Sequence, residues 1–179
     1  MPVQHLLLPT AINTQREAQL GQSTTDVRRC RTNMWQPWSD DPKMPIQWRQ
    51  IALAEAGLSG NNASCIVLLR IYGRQIMIAG DIEARAEAEL LRQYAADLTS
   101  DILIAPHHGS NSSSTAAFLQ RVAPSYVLIS AGLHNAFGHP RKVVTRRYWQ
   151  LGSHWYNTAQ HGQIVVTFAP DGDYQVQPF

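Results

Sequence analysis

Three short apolar runs, each stopping at a small residue and then a polar group, constrain the fold more than any other feature of the chain. "IMIAGD" stops at Asp81. "DILIAPHH" stops at His107 and His108. "SYVLISAG" leads into "NAFGHP" and His139. Apolar runs this short, bounded by Gly and Pro, read as buried strands. Segments with helical spacing lie between them: "IEARAEAELLRQYAADL", "SSSTAAFLQRVAP" and "HPRKVVTRRYWQLG". Alternating strands and helices build an α/β sheet, and ligands sit at the carboxyl ends of such strands. Asp81, His107, His108 and His139 all fall there, which points to a metal or phosphate site.

Further elements follow from the pattern. "SCIVLLRIYGRQIMIAGD" reads as two strands joined by a tight turn at Tyr72-Gly73. Pro140 is expected in the first turn of the third helix, with Gly152 past its end. "HWYNTAQHGQIVVTFAPDGDYQVQ" reads as strand, turn, strand and a final strand after Asp171-Gly172. Residues 1–57 are less regular. "VQHLLLP" suits a short strand stopped by Pro9, and "INTQREAQLGQ" a short helix ended by Gly21. "MWQPWSDDPKMPIQW" is too rich in proline for a central strand and is expected at an edge or in a loop.

Composition excludes several classes. At 179 residues the chain suits one domain. Its net charge of +2 is small, so any affinity for nucleic acid must come from local clusters. No window approaches the roughly 18 consecutive apolar residues of a membrane span. The N-terminus lacks the charged and apolar regions of a signal peptide. Cys30 and Cys65 stand far apart, so no disulfide framework is expected, although one bridge stays open. Two cysteines also cannot form a thiolate zinc cage.

Each candidate residue has a structural alternative. Asp81 is placed to cap the following helix, to ligate a metal, or both. His107 and His108, in an extended segment, would point to opposite sides, one towards the site and one behind it. Ser110, Asn111, Ser112 and Ser113 precede a helix and suit either N-capping or a phosphate cradle. His134 is expected in a loop, and His5, His154 and His161 stand outside the constellation. Arg141, Lys142, Arg146 and Arg147, with Tyr148 and Trp149, make a basic, aromatic helix suited to a nucleic-acid backbone or simply to solvent. Lys142 and Arg146 share a face.

Taken together, "NNASC", "IMIAGDIEARAEAELL", "ILIAPHHGSNSSSTAAFLQRVAPSYVLISAG", "NAFGHP" and "GQIVVTF" resemble the C-terminal metallo-β-lactamase-like domain of ComEC-type DNA-uptake proteins of competent bacteria. The resemblance covers about residues 58 to 168, and "RCRTNMWQPW" resembles an upstream Cys-Trp segment of the family more faintly. It implies an α/β fold, a metallo-β-lactamase-like αββα sandwich, of which residues 58–179 form the C-terminal half and 1–57 a divergent N-terminal region. It implies a metal site for zinc or manganese, two ions in the parent, with Asp81, His107 and His139 as ligands. Asp81, His107 and His108 would be catalytic. Ser110, Asn111, Ser112 and Ser113 would bind phosphate, and Arg141, Lys142, Arg146 and Arg147 the DNA backbone. The family's His-x-His-x-Asp-His motif is absent, and Asn62 and Ser64 stand where many relatives of the wider superfamily place a ligating histidine.

The resemblance therefore implies a fragment of a larger inner-membrane protein, with this domain outside the cytoplasm and its partners a missing N-terminal half, a membrane channel domain and DNA. The parent's activity would be metal-dependent hydrolysis of incoming DNA, while this chain alone is expected to be inactive. The alternatives are a non-catalytic DNA-binding or scaffold module, or a hydrolase of another substrate on the same fold. Half a sandwich would leave one sheet face bare, so self-association is expected unless residues 1–60 cover it.

Overall fold

A computed structural model describes residues 3–8, 24–38, 45–53 and 56–179. Strands β1 (Val3–Leu8) and β2 (Thr24–Arg29) pair in parallel as a small separate sheet. The helix expected over "INTQREAQLGQ" lies outside the described residues. β3 (Gln36–Pro37), β4 (Ile46–Ile51), β5 (Ile66–Ile71) and β6 (Arg74–Ile78) open a seven-stranded sheet as antiparallel neighbours. After α1 (Ala84–Tyr94) comes β7 (Ile102–Ile104), and after α2 (Ala116–Val122) comes β8 (Tyr126–Ile129). Helix α3 (Lys142–Leu151) leads to β9 (His154–Asn157). Strands β6 to β9 run parallel, so Asp81, His107 and the loop after β8 all emerge on one edge. A short α4 (Thr158–His161) then precedes an antiparallel hairpin, β10 (Ile164–Phe168) and β11 (Tyr174–Pro178). The mixed α/β class expected from the sequence is the observed one.

Alternation along the strands sorts side chains onto two faces. One row runs Leu68, Met77, Leu103, Val127 across β5 to β8 and is buried. Against it lie Ala86 and Leu90 of α1, Phe118, Leu119 and Val122 of α2, and Val144 and Tyr148 of α3. Burying each large apolar side chain contributes about 1.5–3 kcal/mol. The opposite face carries Ile76, Ile102, Ile104, Tyr126, Leu128 and Tyr156, and the β10–β11 hairpin packs Val166, Phe168, Tyr174 and Val176 against it. The sequence reading left this face bare. The chain's own C-terminal hairpin covers the β6–β9 part of it.

Local expectations meet mixed outcomes. The β5–β6 turn is the expected tight hairpin, with Tyr72 and Gly73 both at positive φ (47° and 82°). Gly152 closes α3 with φ 83°, but the helix starts at Lys142, so Pro140 precedes its first turn. The proline-rich segment divides. Gln36–Pro37 is the expected edge strand, whereas β4 is an interior strand, because Pro45 falls just before it and leaves its ladder intact. Trp38 is exposed, and Trp35 lies beneath the Arg70 guanidinium at 4.0 Å.

Cys30 and Cys65 form the one bridge that their spacing had left open, with Cα atoms 5.8 Å apart. It ties the segment before β3 to the start of β5. Closing a loop of this size stabilises a fold by roughly 2–4 kcal/mol. Cys30→Ser is therefore expected to lower the melting temperature to that of the reduced wild type. Equal melting of oxidised wild type, reduced wild type and variant would contradict a structural bridge.

Candidate functional site

The site grows from three turns at the carboxyl ends of β6, β7 and β8. The first begins at Gly80, whose φ is 62°. A Cβ there would lie 2.9 Å from Ser64 Cβ, so only glycine lets this turn pass the Asn61–Ser64 segment. Ser64 Oγ accepts from Asp81 N–H (3.1 Å) and donates to Asn61 O (2.7 Å). Asn62 Oδ1 accepts from Glu83 N–H (3.0 Å) and Ala86 N–H (3.1 Å), while its Nδ2 donates to Glu83 Oε2 (3.2 Å).

Asn62 thus caps α1 from a distant turn, in the role expected of Asp81. The helix cap position is Glu83, two residues further on, and Asp81 does not cap. Its carboxylate instead faces His108, Oδ1 to Nε2 3.5 Å.

The second turn corrects the expected histidine geometry. Pro106–Gly109 is a tight helical turn, not an extended segment, with His107 (φ 48°) and His108 (φ 54°) both left-handed. That conformation costs non-glycine residues roughly 1–2 kcal/mol each and persists only where the surroundings enforce it. His108 Nδ1 donates to Ser130 O at 2.7 Å. In the neutral ring this leaves the Nε2 lone pair turned towards the Asp81 carboxylate. Both groups are about half exposed (50% and 44%), so water and ions reach them.

His107 has other partners. Its Nε2 accepts from Asn61 Nδ2 (3.4 Å), and its Nδ1 faces Glu83 Oε1 (3.3 Å) and Ser112 Oγ (3.3 Å). His108, and not His107, meets Asp81.

The third turn carries His139. Asn135 braces it: Oδ1 accepts from His139 N–H (2.8 Å) and Nδ2 donates to His139 O (2.8 Å). The ring stacks beside Phe137 (centroids 5.7 Å) and meets His107 edge-on (5.8 Å). Its Nδ1 is buried without a hydrogen-bond partner. Burial, then the neighbouring His107, Arg141 and His108, hold the imidazole below its ordinary pKa, so it is neutral at pH 7. The second and third turns touch: a Cβ on Gly109 would lie 2.7 Å from Pro140 Cβ, and Arg141 N–H donates to Gly109 O (2.9 Å).

What holds the left-handed loop is Glu87, buried on α1. Its carboxylate accepts from Ser114 N–H and from Thr115 N–H (2.8 Å). Arg147 Nη1 donates to Ser113 O (3.1 Å) and Ser114 O (3.0 Å), and Tyr148 OH meets Ser114 Oγ (2.8 Å). Burial pushes the Glu87 carboxyl up, against the opposing pull of the Thr115 and Ser114 hydrogen bonds and of Arg147. Burial also raises the Tyr148 phenol. Arg147, expected on the DNA backbone, therefore turns inwards onto loop carbonyls. Arg141, Lys142 and Arg146 stay exposed.

The serine cluster is mostly internal. Ser113 Oγ donates to Pro106 O (2.9 Å) and Ser110 O (3.0 Å), and Ser110 Oγ pairs with Ser112 Oγ (3.0 Å). Thr115, not a serine, caps α2 by accepting from Phe118 N–H (3.4 Å). Asn111 is exposed and lines an open hollow of about 600 Å³ with Gly138, Pro140, Arg141, Lys142 and Val143. A smaller hollow of about 200 Å³ runs from His108 past Ser130, Gly132 and Asn135 to Phe137 and His139.

Among the described residues no three His, Cys, Asp or Glu side chains are arranged to hold one metal ion. What the chain offers is the Asp81–His108 pair and the orphaned His139 nitrogen. Glu87, Asn62, Asn135 and Glu83 went unnoticed as supports of the site. Only Glu87 left a signal in the sequence, a carboxylate one helical turn from Leu90 on the apolar face of α1.

No family model matches the chain. It is similar to the uncharacterized protein YcaI of Escherichia coli (strain K12), 40% identical over 113 residues, 63% of this chain and 15% of that protein. It is similar to competence protein ComA of Neisseria gonorrhoeae, 31% identical over 122 residues, 68% of this chain and 17% of that protein. It is also similar to ComE operon protein 3 of Bacillus subtilis (strain 168), 30% identical over 110 residues, 62% of this chain and 14% of that protein. The match thus spans about a sixth or less of these relatives. Among the described residues no helix is long and apolar enough to cross a membrane.

Removing Glu87 strands the backbone N–H groups of Ser114 and Thr115. Glu87→Ala is expected to cost about 3–5 kcal/mol by chemical denaturation. Glu87→Gln adds a pH test. A carboxyl raised in the folded state lends stability below its unfolded pKa and loses it as pH rises through the folded value. The stability of wild type relative to Glu87→Gln should therefore improve as pH falls from 7 towards 4.5. A pH-independent difference would contradict a carboxyl raised by burial.

Proposed function

We propose that this chain is the DNA-handling piece of a ComEC-type uptake protein, carrying one side of a metal-dependent phosphodiester-hydrolysis site on part of a metallo-β-lactamase-like sandwich. The observation that carries the reading is the Asp81–His108 pair. With His108 Nδ1 committed to Ser130 O, two acceptors face each other at 3.5 Å, an arrangement that a proton or a cation between them would relieve. The neutral His139, which lines the same hollow as His108 and has an unpartnered Nδ1, is the candidate for a third donor. These residues fit one wall of a zinc or manganese site and leave the other wall to a segment bearing the missing His-x-His-x-Asp-His motif. A metal bound there would polarise a phosphate oxygen and lower the pKa of bound water.

The chain's own residues would do the rest. Asn111, Arg141, Lys142 and Arg146 line or flank the open hollow and would hold the phosphate backbone. Asn135 and Glu87 fix the loops that present the imidazoles. The likeness to a relative named competence protein ComA supports a place in DNA uptake. The Cys30–Cys65 disulfide suits a compartment outside the reducing cytoplasm.

One observation favours a non-catalytic DNA-binding module. Asn62 and Ser64 are committed to supporting the backbone of the Gly80 turn and the start of α1. Binding and cleavage assays on the chain separate the readings. We expect DNA affinity that falls steeply with salt, and a shallower salt slope in Lys142→Ala and Arg146→Ala. We expect weak manganese or zinc binding lost in Asp81→Ala, with little cleavage. Metal binding unchanged in Asp81→Ala would leave only the binding module. Robust cleavage abolished by Asp81→Ala would overturn the split site.

A further inference from the structure

Phe137 stands on the lip of the smaller hollow and is 71% exposed. A phenylalanine left in water forgoes the favourable free energy of burying its ring. One side of its ring stacks beside His139 at 18° between planes, and the ring borders a cavity also lined by Ser130, Ala131 and Gly132. Arg141 follows directly, with its guanidinium 3.5 Å from where a Gly138 Cβ would stand. Along α3, exposed Lys142, Arg146 and Trp149 lie at i, i+4 and i+7, one stripe about 10 Å long. Trp149 is 75% exposed. The order from the hollow outwards is aromatic, cation, cation, cation, aromatic.

From this we infer that Phe137 and Trp149 are stacking platforms for unpaired nucleobases, with Arg141, Lys142 and Arg146 tracking the phosphates between them, so that the surface selects single-stranded over duplex nucleic acid. The inference rests on the DNA-handling reading above and adds its substrate form. In a duplex the base faces are stacked on one another and cannot meet an exposed ring. In a single strand they are free, and base–aromatic stacking is tolerant of sequence. Exposed aromatics among cations also suit an anionic membrane surface. The hollow argues against that occupant, because its volume of about 200 Å³ has room for one planar group rather than for a lipid interface.

The test measures binding of the full chain to oligothymidylate, to an abasic strand of equal length, to a blunt duplex and to phosphatidylserine vesicles. Wild type is expected to prefer oligothymidylate over both the abasic strand and the duplex. Phe137→Ala and Trp149→Ala should each weaken oligothymidylate binding roughly five- to hundredfold and leave the abasic strand unchanged. Phe137→Tyr should retain the preference. Both aromatic side chains are exposed, so unchanged melting temperatures check that the variants fold. Equal losses on normal and abasic strands, or no preference for single strands, would overturn the stacking role while DNA handling stands. Vesicle binding lost in Phe137→Ala with DNA binding intact would overturn it in favour of a membrane surface. No binding to any nucleic acid would overturn both readings.

Discussion

The arrangement of the site depends on one buried carboxylate. Glu87 sits on α1, a helix with no ligand of its own, yet it accepts the backbone N–H groups of Ser114 and Thr115. Those bonds fix the end of a loop whose beginning is the left-handed His107–His108 turn. Arg147 closes the arrangement from α3 by donating to the carbonyls of Ser113 and Ser114. Three helices that only pack against the sheet are thereby coupled to the geometry of two imidazoles. A buried charge of this kind is stable only when its partners are complete.

That constraint divides labour among neighbouring polar residues. Asn62 and Ser64 serve the backbone of the Gly80 turn and the start of α1. Asp81 is consequently relieved of capping and turns its carboxylate to His108. His107 and His108 are adjacent in sequence but unequal in use. One is held among Asn61, Glu83 and Ser112, and the other between Ser130 and Asp81. Consecutive left-handed residues make this possible, since an extended pair would have sent the two rings to opposite sides of the sheet.

The strands, the helices of the second half and the edge on which the polar groups gather were legible because hydrophobic periodicity and Gly/Pro punctuation are local signals. β4 was not, because its prolines lie outside the ladder and composition cannot show that. The disulfide depends on a separation in space, not in sequence. The histidine turn depends on distant residues for a similar reason: Glu87 holds the end of its loop, and Pro140 packs against its Gly109, both from elsewhere in the chain. The basic helix was legible as a helix. Which arginine faces water was not, since Arg147 turns inwards to carbonyls that the fold alone brings near it.

The bond from His108 Nδ1 to Ser130 O leaves Nε2 as the atom offered to a cation shared with Asp81. Nitrogen-15 chemical shifts of the histidine side chains test this directly. The expected result is a proton held on Nδ1 towards Ser130 O, with the Nε2 resonance of His108 moving on addition of zinc. A proton resident on Nε2 and shared with Asp81, unmoved by zinc, would contradict the account and leave the pair a structural contact.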